Sequence, residues 1–237
     1  MAEKRTLHLL VNGRAYDVFC DPTARLLDVL REELRPALGC TEPVSIALCA
    51  AAMTKALGCQ PERMLVECSR NILKNAKGVV VPNSGGMKGI DVAAALGAVV
   101  GVPERGLEVL TGVTPEQIEA ARAWLARGAC RVRLMDTPET LHLVVTGISG
   151  DGHTASAELK RTHTGLTRVT RDNVAIFHCK TDAEAREEND AAKSLTVGGI
   201  LAFAEKARLE ENGLRELLER QIECNSRIAE EGLSHPY

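Results

Sequence analysis

Two short segments carry the residue types that could do chemistry in this sequence. The first is Gly-Cys-Thr-Glu-Pro at positions 39–43, in which Cys40 stands just before an apolar run that has no charged residue from Pro43 to Thr54. A thiol just before the N-terminus of a helix lies in the positive end of the helix dipole. That position favours the thiolate, which can ligate a soft metal or act as a nucleophile. The alternative is a loop cysteine that only packs against the helix.

The second segment is a loop over positions 79–91, with the sequence VVVPNSGGMKGID. A glycine-containing loop just before a helix can expose several backbone N–H groups, and Lys88 adds a positive charge. The segment therefore predicts an anion site for a carboxylate or a phosphate. Its members are Asn83, Ser84, Gly85, Gly86 and Lys88. The alternative is a tight connection in which the glycines only let the backbone turn.

The composition limits the class of protein. The 237 residues carry a net charge of −3 with both signs spread along the chain, so neither a nucleic-acid partner nor a membrane anchor is expected. The start of the chain has no apolar run typical of a signal peptide. The longest apolar span, 92–102, falls well short of the about 20 residues that cross a bilayer. The chain is therefore expected to be cytoplasmic, with its cysteines reduced.

The hydrophobic patterns predict an α+β fold, in which a helical core rich in small residues carries an inserted antiparallel sheet module and follows a short β-hairpin. Strands at 6–11 and 15–20, joined by Asn12-Gly13, form the hairpin. Thr41 is expected to cap the apolar helix. A second helix of small residues is expected over about 89–100.

From about residue 104 to 187 the pattern changes to that of an α+β module. An amphipathic helix at 115–127 precedes five runs that tend to alternate apolar and polar residues, at 130–135, 140–147, 153–160, 164–170 and 173–178. Helices are expected again at 194–208 and 213–232. The predicted domains are an appended hairpin at 1–26, a helical part at 27–103 and 188–237, and the sheet module at 104–187.

The sequence does not predict a catalytic or metal-binding role for the histidines. His153 and His163 fall on neighbouring runs of the predicted sheet, where they are expected to be solvated or structurally hydrogen-bonded rather than metal ligands. No Ser-His-Asp arrangement can be assigned, because its motif contexts are missing.

Three longer segments carry a family resemblance. They read RPALGCTEPVSIALCAAA, VVVPNSGGMKGIDVAAALGAVVG and IAEEGLSHPY. Together they resemble the L-cysteine desulfidase family, which is related to the iron–sulfur L-serine dehydratases, from about residue 27 to the last residue. The resemblance implies a 4Fe–4S cluster held by three cysteine thiolates, with one iron open to substrate. It also implies α,β-elimination of L-cysteine to hydrogen sulfide and an aminoacrylate, which decays to pyruvate and ammonia.

The same resemblance implies roles for individual residues. Cys40 would be the N-terminal ligand of the cluster, and Thr41 and Glu42 would line the substrate and cluster pocket. The loop of Asn83–Lys88 would hold the substrate carboxylate, while a base that the sequence does not identify takes the α-proton. Family members continue beyond the segment seen here, and their other cluster cysteines lie in that further part.

The chain is therefore expected to be the N-terminal half of an iron–sulfur lyase, which functions only with a second polypeptide that supplies the C-terminal half. Its substrate would be a small amino acid, and a homo-oligomer is left open. Two alternatives remain. One is an L-serine dehydratase, with hydroxide as the leaving group. The other is a non-catalytic small-molecule-binding or assembly protein that keeps the scaffold and the anion loop.

Overall fold

The computed structural model describes residues 5–11, 14–20, 39–178, 205 and 213–235. The chain divides into two compact units. One comprises Pro36–Lys180, and the other comprises Met1–Arg35 with Thr181–Tyr237. The Asn12-Gly13 turn and, apart from residue 205, the helix predicted at 194–208 lie outside the described residues.

The predicted N-terminal hairpin is confirmed. Strands β1 (Arg5–Val11) and β2 (Arg14–Cys20) pair antiparallel, with Arg5 opposite Cys20 and Val11 opposite Arg14.

The apolar run after Cys40 forms helix α1 (Thr41–Leu57), which is buried over most of its length. The helix ends at Gly58, whose φ of 82° is the left-handed conformation that glycine adopts readily. The prediction that Thr41 caps this helix is wrong. Cys40 is the N-cap residue, with extended backbone angles and no side-chain capping bond, and Thr41 is the first residue of the helix.

Two further helices lie close to α1 in sequence. The short helix α2 (Arg70–Ala76) was not predicted, whereas the small-residue helix α3 (Ile90–Val100) was. Helices α1 and α3 approach so closely that a β-carbon at Gly97 would lie 2.2 Å from the carbonyl oxygen of Ala47. The small side chains of the sequence therefore serve close helix packing.

After a 3-10 segment at Pro103–Glu108, the chain forms helix α4 (Pro115–Ala126). Thr114 and Gln117 cap its N-terminus reciprocally, each side chain bonding the other residue's backbone N–H. The buried Trp124 on this helix donates its indole N–H to the carbonyl oxygen of Pro61 at 2.9 Å. The helix predicted at 115–127 is thus confirmed almost to the residue.

Six strands form one sheet in the order β4-β3-β5-β6-β7-β8. Their bounds are β3 (Arg63–Cys68), β4 (Cys130–Leu134), β5 (His142–Ile148), β6 (Thr154–Lys160), β7 (Leu166–Arg171) and β8 (Val174–His178). The α+β class is confirmed. The sheet is mixed rather than wholly antiparallel, since β3 pairs parallel with β4 and antiparallel with β5. It also draws on residues from both sides of position 104.

One face of the central strands β3, β5 and β6 is buried. Met64, Val66, Leu143, Val145, Ala157 and Leu159 are all 3% exposed or less. A β-carbon at Gly147 would lie 2.3 Å from the sulfur of Met53, so α1 packs directly on this face. The alternating residues of the same strands are half-buried or exposed, which leaves the other face open.

Helix α5 (Leu214–Ser234) belongs to the unit that also contains the hairpin. It corresponds to the helix predicted at 213–232. Three of its apolar side chains are exposed, Ile222 by 64%, Ile228 by 68% and Leu233 by 85%, whereas Leu217 and Leu218 are partly buried. Among the described residues, no helix is long and apolar enough to cross a membrane.

Candidate functional site

The thiol of Cys40 is held by the next acidic residue along the chain. Its Sγ lies 3.2 Å from Oε2 of Glu42, which accepts the thiol proton in a hydrogen bond. The hydroxyl of Thr41 donates to the same oxygen at 3.4 Å. Three consecutive predicted site residues therefore form one small polar cluster at the N-terminus of α1.

Asn75, near the end of α2, completes this cluster although the sequence analysis did not identify it. Its Nδ2 donates to Oε1 of Glu42 at 3.0 Å, so both carboxylate oxygens of Glu42 are occupied. Burial alone would raise the pKa of the Glu42 carboxyl, but the bonds from Cys40 and Asn75 and the nearby imidazole of His163 hold it below its ordinary value. Glu42 is therefore a carboxylate at neutral pH.

The pKa of the Cys40 thiol, unlike that of the Glu42 carboxyl, is raised. Burial, the hydrogen bond to Glu42 and the charge of Glu42 raise the pKa of Cys40 above its ordinary value. The helix end therefore does not lower the pKa of this thiol as expected, because burial, followed by the hydrogen bond to Glu42, acts in the opposite direction. The geometry instead gives Cys40 a built-in proton acceptor, which can take the thiol proton when a cation binds the sulfur.

Ser45 connects this cluster to the sheet. It is fully buried one turn into α1, and its Oγ lies 2.8 Å from the carbonyl oxygens of both Thr41 and His163. The turn between β6 and β7 is thereby held against the N-terminal end of α1. This contact explains why His163, which the sequence places more than 100 residues away, acts on Glu42.

The loop of residues 83–88 is a narrow turn closed by an isolated bridge between Val80 and Lys88. Asn83 donates through its side chain to the carbonyl oxygen of Leu110 at 2.9 Å. Ser84 is 1% exposed and donates to the carbonyl oxygen of Met87 at 3.1 Å. These two side chains therefore hold the loop in shape. The Ser84 hydroxyl is buried and its proton is used, whereas the exposed Asn83 amide keeps a second N–H for a ligand.

The donors that remain are on the outside of the loop. Gly85 and Gly86 are exposed and have φ angles of 68° and 82°, which few other residues adopt. Their N–H groups have no backbone acceptor within the described residues, and Lys88 has no carboxylate partner there. The possible anion donors are thus two backbone amides, the second N–H of the Asn83 side chain and one ammonium group.

The cysteine segment and the loop are neighbours. A β-carbon at Gly39 would lie 3.7 Å from Cγ of Pro82, and these two residues immediately precede Cys40 and Asn83. Asn75 links the same two segments a second time. It bonds Glu42 beside the thiol, and its helix α2 ends a few residues before Val80, whose bridge to Lys88 closes the loop. The two predicted motifs therefore meet in the fold, although the roles given to their residues stay predictions.

The remaining described cysteines are far less suited to bind a metal together. Cys49 is fully buried and lies 3.2 Å from the carbonyl oxygen of Ala157. Burial raises the pKa of Cys68 to about 11 and that of Cys130 to about 12. Within the described part of the chain, no three His, Cys, Asp or Glu residues come together as a metal-binding group.

Two histidines have structural partners. His153 bonds Asp172 through Nδ1 at 2.9 Å and is half-exposed. His142 lies between Thr137, 2.9 Å from its Nδ1, and Glu158, 3.0 Å from its Nε2. Sequence reasoning missed this hydroxyl–imidazole–carboxylate chain because its members come from a loop and two strands, with no shared motif.

The fold and the site define an α+β protein that holds a carboxylate-bonded thiol beside a loop of exposed amide donors. The chain is similar to several relatives named UPF0597 protein. The one from Lachnoclostridium phytofermentans is 44% identical over 214 residues, which are 90% of this chain and 50% of that relative. The one from Treponema denticola is 41% identical over 220 residues, and the one from Finegoldia magna 42% over 209 residues.

The matches cover most of this chain but only about half of each relative. The matches to the Treponema and Finegoldia proteins take up 90% and 87% of this chain but only 49% of each relative. The chain therefore spans about half the length of the curated relatives it matches. No protein-family model matches the chain.

Proposed function

We propose that this chain forms one half of an iron–sulfur lyase of the L-cysteine desulfidase type, which eliminates hydrogen sulfide from L-cysteine. In this proposal Cys40 is one cluster ligand, and the loop ending at Lys88 holds the substrate carboxylate. A second polypeptide supplies the other ligands. The observation that carries the proposal is the closeness of Gly39 to Pro82, at which a β-carbon added to Gly39 would lie 3.7 Å from Cγ of Pro82, so the thiol segment and the amide-bearing loop are neighbours.

The cysteines of the described residues support the proposal that this chain supplies one cluster ligand and a second polypeptide supplies the others. A 4Fe–4S cluster is usually held by several cysteine thiolates. Within the described residues, Cys40 is partly exposed and its thiol donates a hydrogen bond to a carboxylate. Cys130 is also partly exposed and lies near Asp91, but burial raises the pKa of its thiol to about 12. The described residues fit a single ligand and do not fit a complete cluster. The relatives, which are about twice as long, have room for the remaining ligands in the part that this chain does not match.

The chain's own residues then have limited but definite roles. Glu42 accepts the proton of Cys40 as the sulfur becomes a ligand, and Asn75 keeps the carboxylate turned toward the thiol. The N–H groups of Gly85 and Gly86 and the ammonium group of Lys88 bind the carboxylate of the amino acid. When bound, the cluster would supply a Lewis acid to the leaving sulfur.

A second candidate function is a small-molecule-binding protein without catalysis. It is favoured by one specific observation, the hydrogen bond that the Cys40 thiol donates to Glu42 at 3.2 Å, since a protonated thiol is a poor metal ligand. In that case the loop alone would bind a carboxylate, and Cys40 would serve packing.

Anaerobic reconstitution with iron and sulfide separates the two functions. The chain is tested alone and together with the part of the Lachnoclostridium relative that it does not match. Brown charge-transfer absorbance and sulfide release from L-cysteine in the mixture only are expected, and both should be lost in Cys40→Ser but kept in the matched variant Cys59→Ser, whose thiol is exposed. Calorimetric binding of L-cysteine with no chromophore in any mixture would overturn the lyase and support the binding protein. Pyruvate from L-serine in place of sulfide from L-cysteine would assign the dehydratase instead.

A further inference from the structure

A cleft on the open face of the sheet is lined by arginines. It has a volume of about 540 Å³ and lies over β3, β4 and β5, at the edge of the sheet that β4 forms. A volume of this size is typical of small-molecule sites, about 300–1,000 Å³. Since α1 packs on the opposite face through Met53 and Gly147, this cleft is separate from the cluster around Cys40.

The strand register shows how the lining side chains are arranged. Leu65 in the middle strand lies between Arg131 of β4 and Thr146 of β5. One step along the same face of β3, Arg63 lies opposite Ile148. One step the other way, Glu67 lies between Arg133 and Val144. The floor is therefore aliphatic with one hydroxyl, and the arginines stand along its β4 side and at one end.

The charges in the cleft are not balanced. Arg133 forms an ion pair with Glu67. Arg63 and Arg131 are exposed, and neither has a carboxylate partner within the described part of the chain. They are on adjacent strands and on the same face, so their side chains are diagonal neighbours, and like charges so placed repel each other. A bound anion would remove that repulsion.

We propose that this cleft binds a small molecule that carries a phosphate or carboxylate group on a short aliphatic body. The guanidinium groups of Arg63 and Arg131 bind the anion, because their planar donors match both groups. Leu65 and Ile148 contact the aliphatic part, and the hydroxyl of Thr146 offers one further polar contact. The site is independent of the proposed lyase, since it shares no residue with the Cys40 cluster or the 83–88 loop.

Calorimetry with butyl phosphate, pentanoate, inorganic phosphate and 1-butanol tests this site on the full chain. Butyl phosphate and pentanoate are expected to bind, each at least ten-fold more tightly than inorganic phosphate, and 1-butanol is expected not to bind. Arg63→Gln and Arg131→Gln should each weaken butyl phosphate at least ten-fold. The control Arg168→Gln removes an exposed arginine of β7 outside the cleft and should leave the affinity unchanged.

Thermal unfolding adds a second readout, which also tests the protein without ligand. Without ligand, Arg63→Gln and Arg131→Gln are expected to unfold at or above the temperature of the unsubstituted protein, because repulsion is removed. Butyl phosphate should raise the unfolding temperature of the unsubstituted protein and of Arg168→Gln by the same amount, and that of Arg63→Gln and Arg131→Gln by less. Absence of binding, equal binding of 1-butanol, or an equal loss of affinity in all three variants would overturn the proposal.

Discussion

Gly97 of α3 lies directly against Ala47 of α1, and a β-carbon at Gly97 would come within 2.2 Å of the Ala47 carbonyl oxygen and 2.6 Å of its Cα. Both obstructing atoms belong to the backbone, so no side-chain rotation can relieve the clash. Gly97→Ala is therefore expected to lower the free energy of unfolding by about 1–3 kcal/mol, the usual range for overpacking a core. The gain in helix propensity, about 1 kcal/mol, offsets only part of that loss. Chemical denaturation followed by circular dichroism measures the change.

Gly232→Ala is the matched control for this prediction. Gly232 lies in helix α5, where an added β-carbon would meet nothing within 4 Å. The same substitution should there raise helix stability by about 0.5–1 kcal/mol, since only the propensity difference remains. Equal effects of the two substitutions would show that α1 and α3 do not pack as described.

Elements that depend on local sequence patterns could be predicted from the sequence, whereas features that depend on contacts between distant residues could not. The apolar run of α1 and the alternating strands after residue 130 are local patterns, and each formed the predicted element. The place of β3 between β4 and β5 could not be read from the sequence, because strand order depends on contacts between distant residues. The mixed character of the sheet was missed for that reason.

The candidate site shows the same limit. Cys40, Thr41 and Glu42 could be selected because they are adjacent and precede a helix, whereas Asn75 joins them through a contact over 33 positions. The dipole argument for Cys40 considered the helix alone. Burial of the thiol, followed by its hydrogen bond to Glu42 two residues further along, raises the pKa instead.

Glu42 is expected to control the reactivity of the Cys40 thiol. Burial, the hydrogen bond and the negative charge of Glu42 together raise the pKa of Cys40. Glu42→Gln removes the charge, so the midpoint of Cys40 alkylation by iodoacetamide should move to lower pH, and the alkylation rate at neutral pH should rise. Peptide-resolved mass spectrometry at a series of pH values measures the rate for each cysteine separately.

Cys59 provides the internal control for this experiment. It is exposed and belongs to the turn after α1, so its alkylation profile should be the same with and without Glu42→Gln. A Cys40 midpoint that stays in place or moves to higher pH would contradict the described contact. A parallel shift at Cys59 would point to general loosening of the fold instead.

Glu158 is expected to make the stability of the sheet depend on acid. Burial alone would raise the pKa of Glu158, but bonds from Lys160 at 2.7 Å and His142 at 3.0 Å hold it below its ordinary value. A carboxyl with a lowered pKa in the folded state stabilises the protein above the unfolded value, about 4.3, and this contribution is lost as the pH falls through the folded value. The difference in unfolding free energy between the unsubstituted protein and Glu158→Gln should thus be largest near pH 7 and shrink below about pH 4.

Glu119→Gln serves as the control for the acid dependence. Glu119 is an exposed residue of α4 whose carboxylate lies 3.3 Å from Arg122 in a pair of helical spacing. Exposed pairs of this kind contribute about 0.3–0.5 kcal/mol, so this variant should follow the unsubstituted protein at every pH. Denaturant unfolding from pH 7 to pH 3 measures all three proteins. A Glu158→Gln difference that does not change with pH would exclude the proposed ionisation.

Ser45 is expected to hold the turn between β6 and β7 against α1. The hydroxyl of Ser45 donates a hydrogen bond to the carbonyl oxygen of His163 at 2.8 Å. Ser45→Ala removes this donor. Loss of a partner for such a group costs about 1–3 kcal/mol, and the loss is local. Hydrogen exchange at the amide of Gly165, which bonds Thr162 within the same turn, should therefore accelerate. Ser84→Ala removes a buried hydroxyl of the 83–88 loop and should leave the exchange rate of the Gly165 amide unchanged, because the Ser84 bond runs to Met87 within the same loop.

If only Ser45→Ala affects the turn, this substitution should also weaken the effect of the His163 charge on Glu42. The pKa of the Glu42 carboxyl should then rise, which carbon-labelled NMR titration measures.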